Sequence, residues 1–188
     1  HRPPPPGVPA GAGRPGGGGV SRAEEGVAAA RLVLDRDGAG GLTMRSVAGE
    51  LGIRAPSLYK HVAGKGAIEV MLIELALREM GESLHAAVQR PGWTGTVGGL
   101  LRPHRRPALA HPSRCGVATA GPLPRSGLEP GLEDWAGEPF LLVTGNPHRA
   151  QALWAFTHGM VILELDGRLP EGSDLDRTWA RGAAAFDR

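Results

Sequence analysis

Aromatic residues make up only 4% of the 188-residue chain, and Tyr59 is its one tyrosine. So few bulky rings argue against a β-sandwich, whose strands draw on aromatic and β-branched side chains. The single cysteine, Cys115, excludes an internal disulfide, and no Cys/His spacing fits a structural zinc site. Long hydrophobic runs are also missing. No apolar stretch approaches the roughly 18 residues that cross a bilayer, and the N-terminal segment lacks the apolar core of a signal peptide. The chain begins at His1 without a methionine, which points to a fragment or a processed start. These features lead to the expectation of a soluble protein of the reducing cytoplasm. Charge of one sign is scarce as well: 21 Lys and Arg face 19 Asp and Glu, a net charge of +2. So small an excess identifies no polyanionic partner, and the distribution of charge must decide.

What is present is apolar content of 41%, rich in alanine, which favours close-packed helices and an all-α fold. Residues 1–20 are mostly proline and glycine and are expected to form a disordered tail. "SRAE" from Ser21 has the form of a capping box, and the first helix is expected to run to about Asp37, stopped by Gly38, Gly40 and Gly41. Thr43 is placed to cap a second helix, "MRSVAGEL", which Gly52 ends. A third short helix should begin between Ala55 and Ser57, with Pro56 tolerated in its first turn. From Lys65 a long fourth helix carries two apolar rows, one through Ile68, Leu72 and Leu75 and one through Val70, Ile73, Leu77, Met80 and Leu84. Two rows require two partners, so this helix should join an N-terminal unit, residues 21–66, to a second helical domain, residues 67–188.

Between residues 89 and 131, Gly98, Gly99, Pro103, Pro107, Pro112, Pro122 and Pro124 interrupt every candidate helix, and six arginines stand against a single acid, Glu129. Loose connections around one or two short helices are expected there. A second, non-specific nucleic-acid patch is the sharper reading, but Trp93 is its one aromatic. Order is expected to return at Asn146, an N-cap followed by Pro147, leading into a helix apolar on most of its circumference. Ser173 should cap a last helix whose Leu175, Trp179, Gly182, Ala183 and Phe186 share a face. Two such helices make half of a four-helix bundle across a two-fold axis, so a homodimer is expected.

The chemically dense stretch is "TMRSVAGELGIRAPSLYKHVAGK". Ala48 is small enough for two helices to touch, Gly52 tolerates a turn with positive φ, and Leu58 is an apolar plug from the second helix. Those are the structural demands of a helix-turn-helix. Around the plug lie Arg54, Ser57, Tyr59, Lys60 and His61, all capable of donating and none acidic. Donors without carboxylates suit a helix facing base edges and phosphates, because an acid there opposes the counterion-release gain.

The pattern "LTMRSVAGELGIRAPSLYKHVAGKGAIE" resembles the tetracycline-repressor (TetR) family of transcriptional regulators, over roughly residues 21–85. The resemblance implies an N-terminal helix-turn-helix DNA-binding domain joined by a long helix to a helical ligand-binding and dimerisation domain. It implies phosphate contacts at Arg45 and Lys65, a DNA-facing set of Arg54, Pro56, Ser57, Tyr59, Lys60 and His61, and core positions at Leu58 and Val62. The C-terminal "FTHGMVILELDGRLP" is similar to a His-Gly signature of such domains, with Thr157 where many carry tryptophan. The implied function is a cytoplasmic repressor that acts as a homodimer on a palindromic DNA operator and is released by a small apolar ligand.

Blander roles stand beside these. Tyr59 has a packing alternative, Lys60 and Lys65 a solvated one, and His61 a space-filling one. Trp135, Trp154, Phe156, His158 and Met160 are candidate ligand-pocket residues, although rings and methionines at helical spacing usually form plain core. No catalytic residue, cofactor or metal is assigned: there is no phosphate-cradling loop, nucleophile elbow or HExxH helix, and a Glu164/Asp166/His158 constellation is weak. The alternative function is a small-molecule or protein-binding module with vestigial DNA binding.

Overall fold

The structure, a computed structural model, describes residues 21–187. Among them the regular structure is helical, with no strand. The expected Pro/Gly-rich tail lies outside the described residues. Helix α1 (Arg22–Gly41) starts with the capping box foreseen at Ser21, whose hydroxyl accepts from the Glu24 amide while Glu24 reaches back to the Ser21 amide at 2.7 Å. Its regular part ends where expected, because Gly38 leaves helical geometry with φ 70°. Thr43 caps α2 (Met44–Glu50), with Ser46 as its reciprocal partner. Next come α3 (Ala55–Tyr59) and the long α4 (Lys65–Gln89).

Two apolar cores result. The first joins Ala30, Val33 and Leu34 of α1, Val47 and Ala48 of α2, Leu58 of α3 and Ile68 and Leu72 from the start of α4. The second takes Leu84 and Ala87 from the far end of α4 and packs them with later helices. The fourth helix thus serves both cores, as its two rows require.

Residues 89–131 hold the two helices expected at most, but with more regular structure around them than the loose connections foreseen. Thr96 caps α5 (Val97–Ala110), Pro112 opens α6 (Pro112–Thr119), and a 3-10 turn covers Arg125–Gly127. A further helix, α7 (Leu132–Thr144), precedes Asn146, where order was expected to resume. Prolines hid α5 and α7, since Pro103, Pro107 and Pro139 all lie inside them. An internal proline leaves the carbonyl four residues earlier without its helical donor. For Pro107 that carbonyl belongs to Pro103, and the Ser83 hydroxyl of α4 donates to it across a long 3.5 Å. For Pro139 the carbonyl is that of Trp135, and His85 Nε2 of α4 lies 3.0 Å from it. A carbonyl only accepts, so Nε2 carries the proton. The His85 ring also stacks on Trp135 with centroids 4.9 Å apart. A Cβ at Gly81 would fall 2.3 Å from the Trp135 ring, so glycine permits this approach of α7 to α4.

Asn146 caps α8 (Pro147–Leu165) with its side chain accepting from His148 and Arg149, as the sequence implied. The last helix, α9 (Leu175–Ala184), is capped by Asp174 and not by Ser173. The Ser173 hydroxyl donates instead to the Pro170 carbonyl, 2.6 Å away, so the turn before the helix claims it. Trp179 and Ala183 of α9 are buried in the second core. The α9 face on the opposite side is polar, with Arg177, Thr178 and Arg181 exposed. No described helix is long and apolar enough to cross a membrane.

Candidate nucleic-acid interface

The turn between α2 and α3 is closed by the backbone. The Ile53 amide donates to the Ala48 carbonyl at 3.0 Å and the Gly52 amide to Gly49 at 3.1 Å, with Gly52 at φ 67°. This is a helix-ending motif that needs a left-handed residue, and glycine enters that conformation without a Cβ penalty. It throws the chain into α3, which is five residues long and buries one side chain, Leu58, completely. Val62, just beyond, is also buried, so both residues expected in the core are there.

Everything expected to face DNA lies on the other side. Tyr59 is 53% exposed, and Arg45, Arg54, Pro56, Ser57, Lys60, His61 and Lys65 are exposed too. Lys65 has a loose i,i+4 partner, Glu69, at 3.6 Å. Exposed pairs of this kind contribute little, so Glu69 holds Lys65 only weakly. Glu50, the acid at the end of α2, is turned to Arg36 of α1 at 2.8 Å. The described surface around α3 is therefore a set of donors and rings carried on a helix that one leucine holds in place.

The candidate pocket residues do not converge. Trp154 and His158, on α8, sit with Phe140 of α7 and His104 of α5, at ring separations of 5.6 Å from Trp154 to Phe140 and 6.2 Å from Trp154 to His104. Phe156 faces the opposite way, toward Trp179 and Phe186. Trp135 belongs to the α4–α7 seam, and Met160 is buried in the second core. An open groove of about 610 Å³ runs along α9 between Phe156, Asp174, Arg177 and Arg181, touching one of the five. Alternating positions on one helix diverge, which is why neighbours in sequence part company here.

The Glu164/Asp166/His158 constellation also separates. Glu164 is committed to Arg105, which grips it through Nε at 3.0 Å and Nη2 at 2.7 Å, and it accepts from Trp179 Nε1 at 2.8 Å. Asp166 is exposed and pairs with Arg168 at 3.3 Å. The Arg105–Glu164 pair ties α5, α8 and α9 together, and the Arg105 guanidinium holds the Glu164 carboxyl below its ordinary range.

Sequence reasoning passed over His104. Burial, with His158 adding to it, pushes its imidazole down to about 4 from an ordinary 6.5. The unfolded chain therefore takes up this proton first as pH falls, and stability drops between pH 6.5 and 4. Melting curves at pH 7 and pH 4.5 should show the wild type losing on the order of 5 °C more than His104→Leu. Equal losses would mean that His104 is protonated in the folded protein.

An all-α protein with an N-terminal helix-turn-helix and a helical body is the class these observations define. Within it, the fold is that of the TetR-type regulators. A protein of unknown function from Rhodococcus sp. RHA1 superposes with a TM-score of 0.74 at 20% identity, covering 89% of this chain and 94% of that one. A TetR from Acinetobacter baumannii AYE, solved in complex with minocycline, gives 0.62 at 19% identity with coverage of 89% and 94%. In sequence, the chain is 35% identical over 98 residues to an HTH-type transcriptional regulator of Saccharopolyspora erythraea, 52% of this chain. It spans 40% of that relative's length. No protein-family model matches the chain.

Proposed function

We propose that the chain is a sequence-specific DNA-binding transcriptional regulator, a cytoplasmic repressor that sits as a homodimer on a palindromic operator. The observation that carries this reading is the α3 surface: one buried leucine, and around it Arg54, Ser57, Tyr59, Lys60 and His61 all turned outward. Likeness in part of the sequence to an HTH-type regulator supports it. Residues 21–66 serve as the reading unit and 67–188 as the body. Arg45 and Lys65 take phosphates on either side of the groove, and α3 with the preceding Arg54 takes the bases. The exposed Leu141, Leu142, Trp154 and Leu163 of α7 and α8 support a subunit contact on the body. A small apolar ligand releases the operator, entering by displacement of the rings around Trp154, with His158 among the contacts.

The test is selection of bound sequences from a random duplex pool, followed by titration at several salt concentrations. A palindrome bound at least about a thousandfold tighter than scrambled DNA is expected. Lys65→Ala should weaken binding to all duplexes and lower the salt slope by about 1, whereas Tyr59→Ala should cost about 1–3 kcal/mol of discrimination. A folded chain that enriches no sequence would reject this function in favour of a ligand- or protein-binding module.

A further inference from the structure

Among the described residues, helix α6 is the one element that touches both cores without burying a residue in either. Its Val117 packs against the first core and its Cys115 against the second, and both are only partly buried. Apolar contact this thin leaves the seating of a helix weakly determined. A polar contact supplies what packing does not. Arg114 of α6 grips Asp35 of α1 with both arms of its guanidinium, Nε to Oδ1 at 2.7 Å and Nη2 to Oδ2. Both side chains are shielded, at 23% and 30% exposure. Beside them Arg31 of α1 pairs with Glu79 of α4 at 2.6 Å, so charges alternate around the corner where α1, α4 and α6 meet. Arg114 keeps the Asp35 carboxyl below its ordinary range, with His111 and Arg31 assisting, so the acceptor stays ionised.

A planar fork on a carboxylate is directional in a way a lone ammonium is not. We propose that the Asp35–Arg114 fork is a positioning contact that fixes the angle between the reading unit and the body, and so sets the spacing of operator half-sites that the dimer accepts. This rests on the DNA-binding reading above. Two α3 helices one DNA turn apart, about 34 Å, tolerate little rotation of either unit before one leaves its groove. Asp35 and Arg114 need no contact with DNA to exert this control.

The experiment compares the wild type with Asp35→Asn and Arg114→Lys in two measurements. In the first, each protein selects from duplexes carrying the wild type's own half-sites at varied separations. The wild type should favour one spacing, and both variants should lose about fivefold or more of that preference. Arg114→Lys keeps the charge but not the fork, so wild-type spacing in this variant would overturn the positioning role. In the second, hydrogen exchange without DNA should quicken across α6 by about tenfold in both variants, with α8 unchanged. Unchanged exchange in Asp35→Asn overturns the proposal, as does faster exchange with an unmoved spacing profile. A wild type that enriches no sequence removes the DNA-binding reading and the spacing with it, whereas a wild-type palindrome with indifferent variants removes the fork alone.

Discussion

Leu58→Ala should abolish operator recognition while leaving most of the helical signal in place. Leu58 is the one residue that α3 buries, and it is fully enclosed by the first core. Truncating a leucine in such a site costs about 2–5 kcal/mol, through lost transfer energy and a residual cavity. A five-residue helix cannot hold itself together in water, so it depends on that plug. The second core shares no buried residue with the first and should survive. Affinity for the selected duplex should fall at least about a hundredfold, whereas Leu58→Met, close in volume, should stay near wild type. Undiminished binding by a folded Leu58→Ala protein would show that α3 is not the reading element.

Glu164→Gln should destabilise the body by about 3 kcal/mol, because it leaves Arg105 shielded from water with one strong partner fewer. The Glu164 side chain is only 11% exposed and that of Arg105 20%. The remaining acid, Asp176, meets Arg105 at 2.5 Å but is itself 90% exposed. A melting temperature lower by about 6–12 °C is expected for a chain of this size. Asp176→Asn should cost under about 1 kcal/mol, since exposed pairs are weak. The pH dependence has a definite sign. A carboxylate whose folded pKa is lowered stabilises above the ordinary value of 4.5 and loses that contribution as pH falls through the lowered one. Wild type and Glu164→Gln should therefore draw together in melting temperature as pH falls below 4.5 and converge once it passes the lowered value. A gap that persists there would assign the loss to packing.

The helix-turn-helix was legible because its determinants are local. Thr43, Ala48, Gly52 and Leu58 stand within sixteen consecutive residues, and each acts through the geometry of its own helix or turn. Caps at Ser21 and Asn146 were legible for the same reason: a side chain satisfying an amide two or three residues on leaves its mark in the sequence. The Asp174 cap was missed by one residue because Ser173 beside it is as good a candidate until the turn at Pro170 claims its hydroxyl.

What the sequence determined by itself was the all-α class, the helix-turn-helix and which of its residues face outward, since period, caps and turn chemistry act over a few residues. The tertiary structure alone decided that α5 and α7 are helices despite their prolines. The carbonyls freed by Pro107 and Pro139 find Ser83, 20 residues away, and His85, 50 residues away, on α4, and no local signal announces partners at that distance. It also decided that Trp154 and Phe156 belong to different clusters and that Arg105, Arg114 and Glu164 act in ion pairs. Charge and ring chemistry are written in the sequence, but which groups meet depends on how the helices cross, and crossing is settled by packing between residues far apart in the chain.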